Sequence, residues 1–147
     1  MPRKPQEINI QSVPADEISR VWSVVEGLLE LALEKEGYGT KVSSILPQLE
    51  TQCMQLWLAL VDRTIVAALT TELMRYPEVL VARVVLAGGT QESSWEGQFA
   101  EKFEAWAREQ GADIVEVQGR PGWARRLKKY EMNLHSVTMQ KVLKTAH

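Results

Sequence analysis

One α/β domain is the fold class this sequence predicts, and three observations carry it. Short segments whose apolar residues alternate or run unbroken recur along the chain, as strands do. Two longer stretches place apolar residues at helical spacing, one early and one rich in aromatics. Cap and turn residues fall at the joints between them. The chain has 147 residues, 45% hydrophobic and 24% charged, near the globular average and enough to bury a sizeable core. No linker, repeat or low-complexity tract interrupts it, so 1–147 reads as a single domain.

Residues 7–13 alternate polar and apolar, which predicts a half-buried strand. Pro14, Ala15, Asp16 and Glu17 predict a helix start, with acids where the dipole favours them. Ile18, Val21, Val25, Leu28, Leu29 and Ala32 then form one apolar stripe on a helix ending near Gly37. A shorter helix is predicted over 42–49, with Pro47 weakening its end. Three strands follow over 55–62, 64–74 and 79–87, separated by the turn Asp62-Arg63 and by Tyr76-Pro77-Glu78. The third is apolar apart from Arg83, as suits a strand covered on both faces. The loop from Gly88 leads into a helix, with Ser93 and Ser94 as N-cap candidates. Trp95, Phe99, Phe103 and Trp106, at spacings of four, four and three, share its buried face, and Gly111 closes it. A Val-rich strand over 113–118, a helix over 122–130 begun by Pro121, and an alternating strand over 134–143 complete the chain. The predicted order is β-α-α-β-β-β-α-β-α-β.

Net charge is −2, but from residue 118 onward seven basic residues face one acid, Glu131, leaving about −8 on the first 117 residues. Arg120, Arg125, Arg126, Lys128 and Lys129 form the dense part of that basic quarter. No aromatic platform or recognition helix accompanies them, so nucleic acid is not an expected partner. Cys53 is the sole cysteine; no intrachain disulfide forms, and a reducing, cytoplasmic setting is expected, with Cys53 as a small core residue beside Met54 to Leu58. The basic start has no apolar h-region after it, and no run reaches the roughly 20 apolar residues of a membrane helix. No Cys/His/Asp cluster has metal-ligand spacing, so no metal is expected.

Residues 79–132 carry a resemblance to a known family. Anchored on Ala107 and Gly111, the preceding loop resembles the acyl-CoA loop of the GNAT superfamily of N-acetyltransferases, with Leu86 and Gly88 at its Val and Pro positions and Gln91 at its Gln. Its two glycine positions hold Ser94 and Glu96 instead. The second GNAT signature falls on 120–132, where Arg120 and Trp123 stand at the Asn and Ala positions, Leu127 replaces the tyrosine and Glu131 the glycine. Gly119-Arg120-Pro121-Gly122-Trp123 looks like the Gly-Arg-x-Gly-Trp signature of divergent GNAT-like proteins of tailed bacteriophages.

The resemblance implies a mixed, mostly antiparallel central sheet flanked by helices, with acyl-CoA slotted where one strand splays from its neighbour. It implies a cofactor loop of Leu86, Ala87, Gly88, Gly89, Gln91, Ser93, Ser94 and Trp95, helped by Arg120, because a helix start offers free N–H groups to a pyrophosphate. Glu72 and Glu116, on inner strands, are the candidates for the base that deprotonates an amine. Tyr130, one turn after Leu127, is the candidate acid. The implied activity is transfer of an acetyl group from acetyl-CoA to an amine acceptor, with a homodimer as a compatible assembly and the cytoplasm, the host's for a phage protein, as the setting. Ser94 and Glu96 sustain the alternative, a catalytically inactive GNAT-shaped bacteriophage protein acting as a structural or host-interaction module.

Overall fold

The structure, a computed structural model, describes residues 5–119 and 123–144. Its elements are β1 (Ile8–Val13), α1 (Ile18–Glu36), α2 (Leu46–Glu50), β2 (Gln55–Val61), β3 (Thr64–Arg75), β4 (Leu80–Gly89), α3 (Glu92–Glu109), β5 (Ile114–Val117) and α4 (Trp123–Arg126), with 3-10 turns at Ala15–Glu17, Val42–Ser44 and Leu127–Tyr130. The strands form one sheet in the order β1-β2-β3-β4-β5. The first three pairings are antiparallel and the fourth, β4 with β5, is parallel. This is the mixed, mostly antiparallel sheet flanked by helices that the resemblance implies.

Side-chain alternation splits the core in two. Leu56, Leu58, Ala68 and Leu86 point to one face, where Val25, Leu29 and Ala32 of α1 and Leu49 of α2 cover them. Trp57, Ala59, Ala67, Leu69, Ala82 and Val84 point to the other, under Trp95, Phe99, Phe103 and Ala107 of α3. Trp57 meets Phe99, Phe103 and Trp106 edge-on, with ring centroids 5.8, 6.3 and 5.6 Å away, the geometry aromatic quadrupoles favour. Its indole N–H donates to Thr71 Oγ1 at 2.9 Å, so the buried polar atom is satisfied. The aromatic face read from spacing is thus the core of the α3 side.

Turn chemistry sets the joints. Asp62 and Arg63 both take positive φ, 49° and 67°, as a two-residue hairpin matching strand twist requires. The α1 helix ends on Gly37 at φ 82°, its N–H reaching back to the Leu33 carbonyl.

Four expectations need correction. No strand forms over 134–143: Leu134, Val137, Met139, Val142 and Leu143 are exposed, Met139 by 89%. An alternating segment becomes a strand only against a partner edge, and this one instead makes a hydrogen bond from Gln140 Nε2 to Tyr38 Oη, just past α1. Pro47 lies in the first turn of α2, where its missing N–H costs nothing, rather than weakening the helix end. Ser93 and Ser94 are not the N-cap, because the helix starts two residues sooner and Gln91 takes that position. Cys53 is exposed, since it belongs to the turn before β2 rather than to the strand.

Candidate active site

The parallel pair defines the site. β5 follows β4 only from Val81↔Ile114 to Val84↔Val117, and the last bond is Gln118 N–H to the Val84 carbonyl, 3.1 Å. β4 runs on to Gly89 along β3 alone. Among the described residues no strand lies beside its other edge from Val85 to Gly89, so β4 and β5 part there as a fork. The pairing with β3 shifts register at the same level, between Thr70 and Thr71, where Val85 is the extra residue on β4. Such a bulge bends the strand and raises its local twist.

At the fork's open end stands the start of α3, an 18-residue helix. Gln91, at φ 58°, precedes it and supplies no side-chain cap, so the first N–H groups have no partner within the helix. Glu92 in the first turn works against an anion there. Ser94 Oγ donates to Gln6 Oε1 at 2.9 Å, tying this turn to the chain start. Trp95 is buried, and its indole N–H reaches the Thr90 carbonyl at 2.8 Å; it pins the loop from below and faces the core.

The glycines before the helix have packing roles. A Cβ on Gly88 would lie 2.0 Å from the Leu28 carbonyl oxygen, because α1 crosses directly over β4. A Cβ on Gly89 would lie 2.2 Å from the Val66 carbonyl oxygen and 2.5 Å from the Ala67 Cα, and its φ is 148°. Both are needed to let α1 and β3 approach the end of β4. Leu86 and Ala87 complete the strand, buried towards α1 and half-buried towards α3.

Glu96, at the second glycine position, is only 14% exposed, yet its charge is met: Arg126 of α4 forms an ion pair with Oε2. Its Oε1 is buried with no partner among the described residues. The pair joins α4 to the second turn of α3. Gly119 has a packing reason as well, since a Cβ there would lie 2.4 Å from the ring of Trp123. The Trp123 ring lies against the Gly119 backbone. Arg120 lies outside the described residues.

Glu72 and Glu116 come together. Glu72 of β3 is in register with Arg83 of β4, which is in register with Glu116 of β5. Arg83 donates from Nε to Glu116 Oε1 at 2.9 Å, from Nη1 to Glu72 Oε1 at 3.3 Å, and from Nη2 to Tyr76 Oη at 3.2 Å. Alternation puts all three chains on the α1 face, one residue before the fork. Burial works against the Arg83 charge, but the Tyr76 hydroxyl and the Glu116 carboxylate outweigh it and raise its basicity further. Sequence reasoning missed Arg83 as a site residue. The signal was present as a charged residue inside each of three successive strands, but the register that aligns them comes only from the folded sheet.

Tyr130 does not join that cluster. It ends the 3-10 turn after α4, and its hydroxyl lies 3.8 Å from where a Cβ of Gly97 would be, on the α3 side of the sheet. It lines a shallow groove of about 280 Å³ with Gly97, Ala100, Glu101 and Glu104. Among the described residues, no group of acids, histidines and cysteine could hold a metal ion, and no helix is long and apolar enough to cross a membrane.

No family model matches this sequence, and no curated protein matches it. Solved structures do. An aminoglycoside acetyltransferase from an uncultured soil metagenomic sample, in complex with sisomicin, is 16% identical with a TM-score of 0.66, covering 93% of this chain and 97% of its own. A predicted acetyltransferase from Clostridium acetobutylicum, solved with acetyl-CoA, is 13% identical with a TM-score of 0.67 and the same coverage, 93% and 97%. The ribosomal-protein-alanine N-acetyltransferase of Brucella melitensis biovar Abortus 2308 is 13% identical with a TM-score of 0.63, covering 95% of this chain and 100% of its own. At such identities the likeness bears on architecture, and the chain has the fold of the GNAT acetyltransferases.

Proposed function

We propose that this protein is an acyltransferase that moves an acetyl group from acetyl-CoA to an amine acceptor. The single observation carrying the reading is the fork between β4 and β5 with the uncapped start of α3 at its open end. Apart from the Glu92 carboxylate in the first turn of α3, the residues present fit the cofactor. Free N–H groups at Glu92 and Ser93 suit a pyrophosphate, the strand edge from Val85 to Gly89 is open to an extended chain, and Arg126 neutralises Glu96 beside it. Bound there, acetyl-CoA supplies an activated acyl thioester.

The chain's own part is placement and proton traffic. Backbone groups at the Val85 bulge, without a partner on the fork side among the described residues, are available to hold the thioester carbonyl, and fixed donors of this kind stabilise charge as it develops. Glu116 or Glu72 takes the proton that the amine must lose, since each uses only Oε1 on Arg83 and keeps Oε2 free of partners among the described residues. Tyr130 is the residue that returns a proton to the leaving group from the α3 side; among the described residues no hydrogen bond occupies its hydroxyl. Holding amine and thioester in one crevice supplies much of the acceleration such a transfer needs. The lone exposed Cys53 suits a reducing cytoplasm.

A second copy of the chain is the further partner this reading takes, because among the described residues the alternating apolar segment over 134–143 lacks a strand partner and β5 is an edge. Calorimetric titration with acetyl-CoA and with free CoA tests the function. Micromolar to low-millimolar binding of both is the expected result, and no heat at millimolar cofactor overturns it.

A further inference from the structure

We propose that Arg83 is a positioning residue of this site: it clamps the carboxylates of two different strands into one unit of net charge −1, held one residue before the fork. The inference rests on the acyltransferase reading above and adds the residue that makes its proton acceptor work.

The argument is geometric. β3, β4 and β5 lie side by side, and Glu72, Arg83 and Glu116 occupy one rung across them. Glu72 is 25% exposed, Glu116 27% and Arg83 14%, so all three charges are largely withdrawn from water. Two carboxylates alone on such a rung would repel each other. The guanidinium between them removes that conflict. It spends a different nitrogen on each partner and a third on Tyr76, so its plane is fixed by three contacts. The nearer carboxylate, Glu116, sits on the strand that borders the fork. The unit keeps a single negative charge, which favours an approaching ammonium group. When the amine's proton moves to a carboxylate Oε2, the unit becomes neutral, and Arg83 stays protonated throughout.

A lysine in place of Arg83 keeps the charge and loses the fork of donors; methionine loses both. The test combines two readouts on the full chain. The first is the Arg83 Nε–H resonance in ¹⁵N,¹H spectra, assigned by its disappearance in Arg83→Lys. It is expected to shift and to exchange faster in Glu116→Gln while moving little in Glu72→Gln, because Nε faces Glu116 alone. A resonance indifferent to Glu116→Gln overturns the clamp. The second is thiol release from acetyl-CoA with a panel of primary alkylamines, beside calorimetry with acetyl-CoA alone. Arg83→Met is expected to lower kcat at least about tenfold, a fraction of the 10²–10⁴ a positioned base contributes, with acetyl-CoA affinity changed less than about twofold. Arg83→Lys should recover part of the rate, and Arg83→Met with Glu72→Gln, which restores the charge of −1, should recover some as well. Equal loss of rate and cofactor affinity would assign Arg83 to the scaffold and overturn the proposal, as would unchanged rates. Wild-type protein that binds acetyl-CoA but acylates no amine overturns it too. Failure to bind acetyl-CoA at all strikes the acyltransferase reading itself, and the calorimetric arm tells the two failures apart.

Discussion

Glu96 shows how one residue's meaning changes on folding. Along the chain it is a carboxylate where a glycine is expected; in the structure it is the buried half of an ion pair whose other half, Arg126, is 43% exposed. Removing one partner of such a pair leaves an uncompensated charge, so Arg126→Ala is expected to cost about 1–2 kcal/mol, reduced from the fully buried case by the exposure of the arginine. Urea denaturation of Arg126→Ala checks this, and adding Glu96→Gln should restore most of the loss. Thr70 makes the opposite case. Its hydroxyl is fully buried opposite Leu86, beside the β4 bulge, with no partner among the described residues. Thr70→Val should therefore be neutral or stabilising by up to about 1 kcal/mol, because an unpaired buried polar group is removed. Loss of acetyl transfer without loss of stability in that variant would instead assign the hydroxyl to the fork.

At the scale of elements, the close approach of α1, β3 and β4 decides what a substitution tests. Gly88→Ala forces a Cβ to within 2.0 Å of a backbone oxygen of α1, which neither partner relieves by rotating a side chain. A destabilisation of about 2–4 kcal/mol is expected in thermal or chemical melts. Lost cofactor binding in that variant would then report on the scaffold. The same elements divide what was legible from what was not. Helices and strands with strong periodicity, α1, α3 and β2 to β5, were readable because apolar spacing and turn residues agree. The four-aromatic face of α3 was readable for the same reason. Ser93 and Ser94 misled because cap propensity is local, whereas Gln91 takes the cap position through a left-handed φ of 58° imposed by the loop. Within the site, Glu72 and Glu116 were legible as carboxylates on inner strands. Their shared partner Arg83, the Glu96–Arg126 pair and the reason for Gly119 were not, since each depends on contacts between segments far apart in sequence.

For the whole molecule, the unresolved tension is between a closed core and an open end. α1, α2 and α3 cover both faces of the sheet, yet beyond Glu131 a run of alternating residues leaves five large apolar side chains in water, and among the described residues β5 is an edge strand of the sheet. Exposed apolar runs and bare edges of this kind are what monomeric proteins avoid. Pairing between the segment over 134–143 of one copy and a sheet edge of another would bury alternate side chains and satisfy backbone groups on both. Light scattering coupled to size exclusion is expected to give twice the chain mass of 16.6 kDa at tens of micromolar. Val137→Glu together with Met139→Lys, which keeps the net charge while removing the apolar stripe, should return the single-chain mass and leave the melting temperature at low concentration nearly unchanged. A wild-type protein of single-chain mass at every concentration would show that the segment finds its cover within its own chain, and its protected amides in hydrogen exchange would then map where.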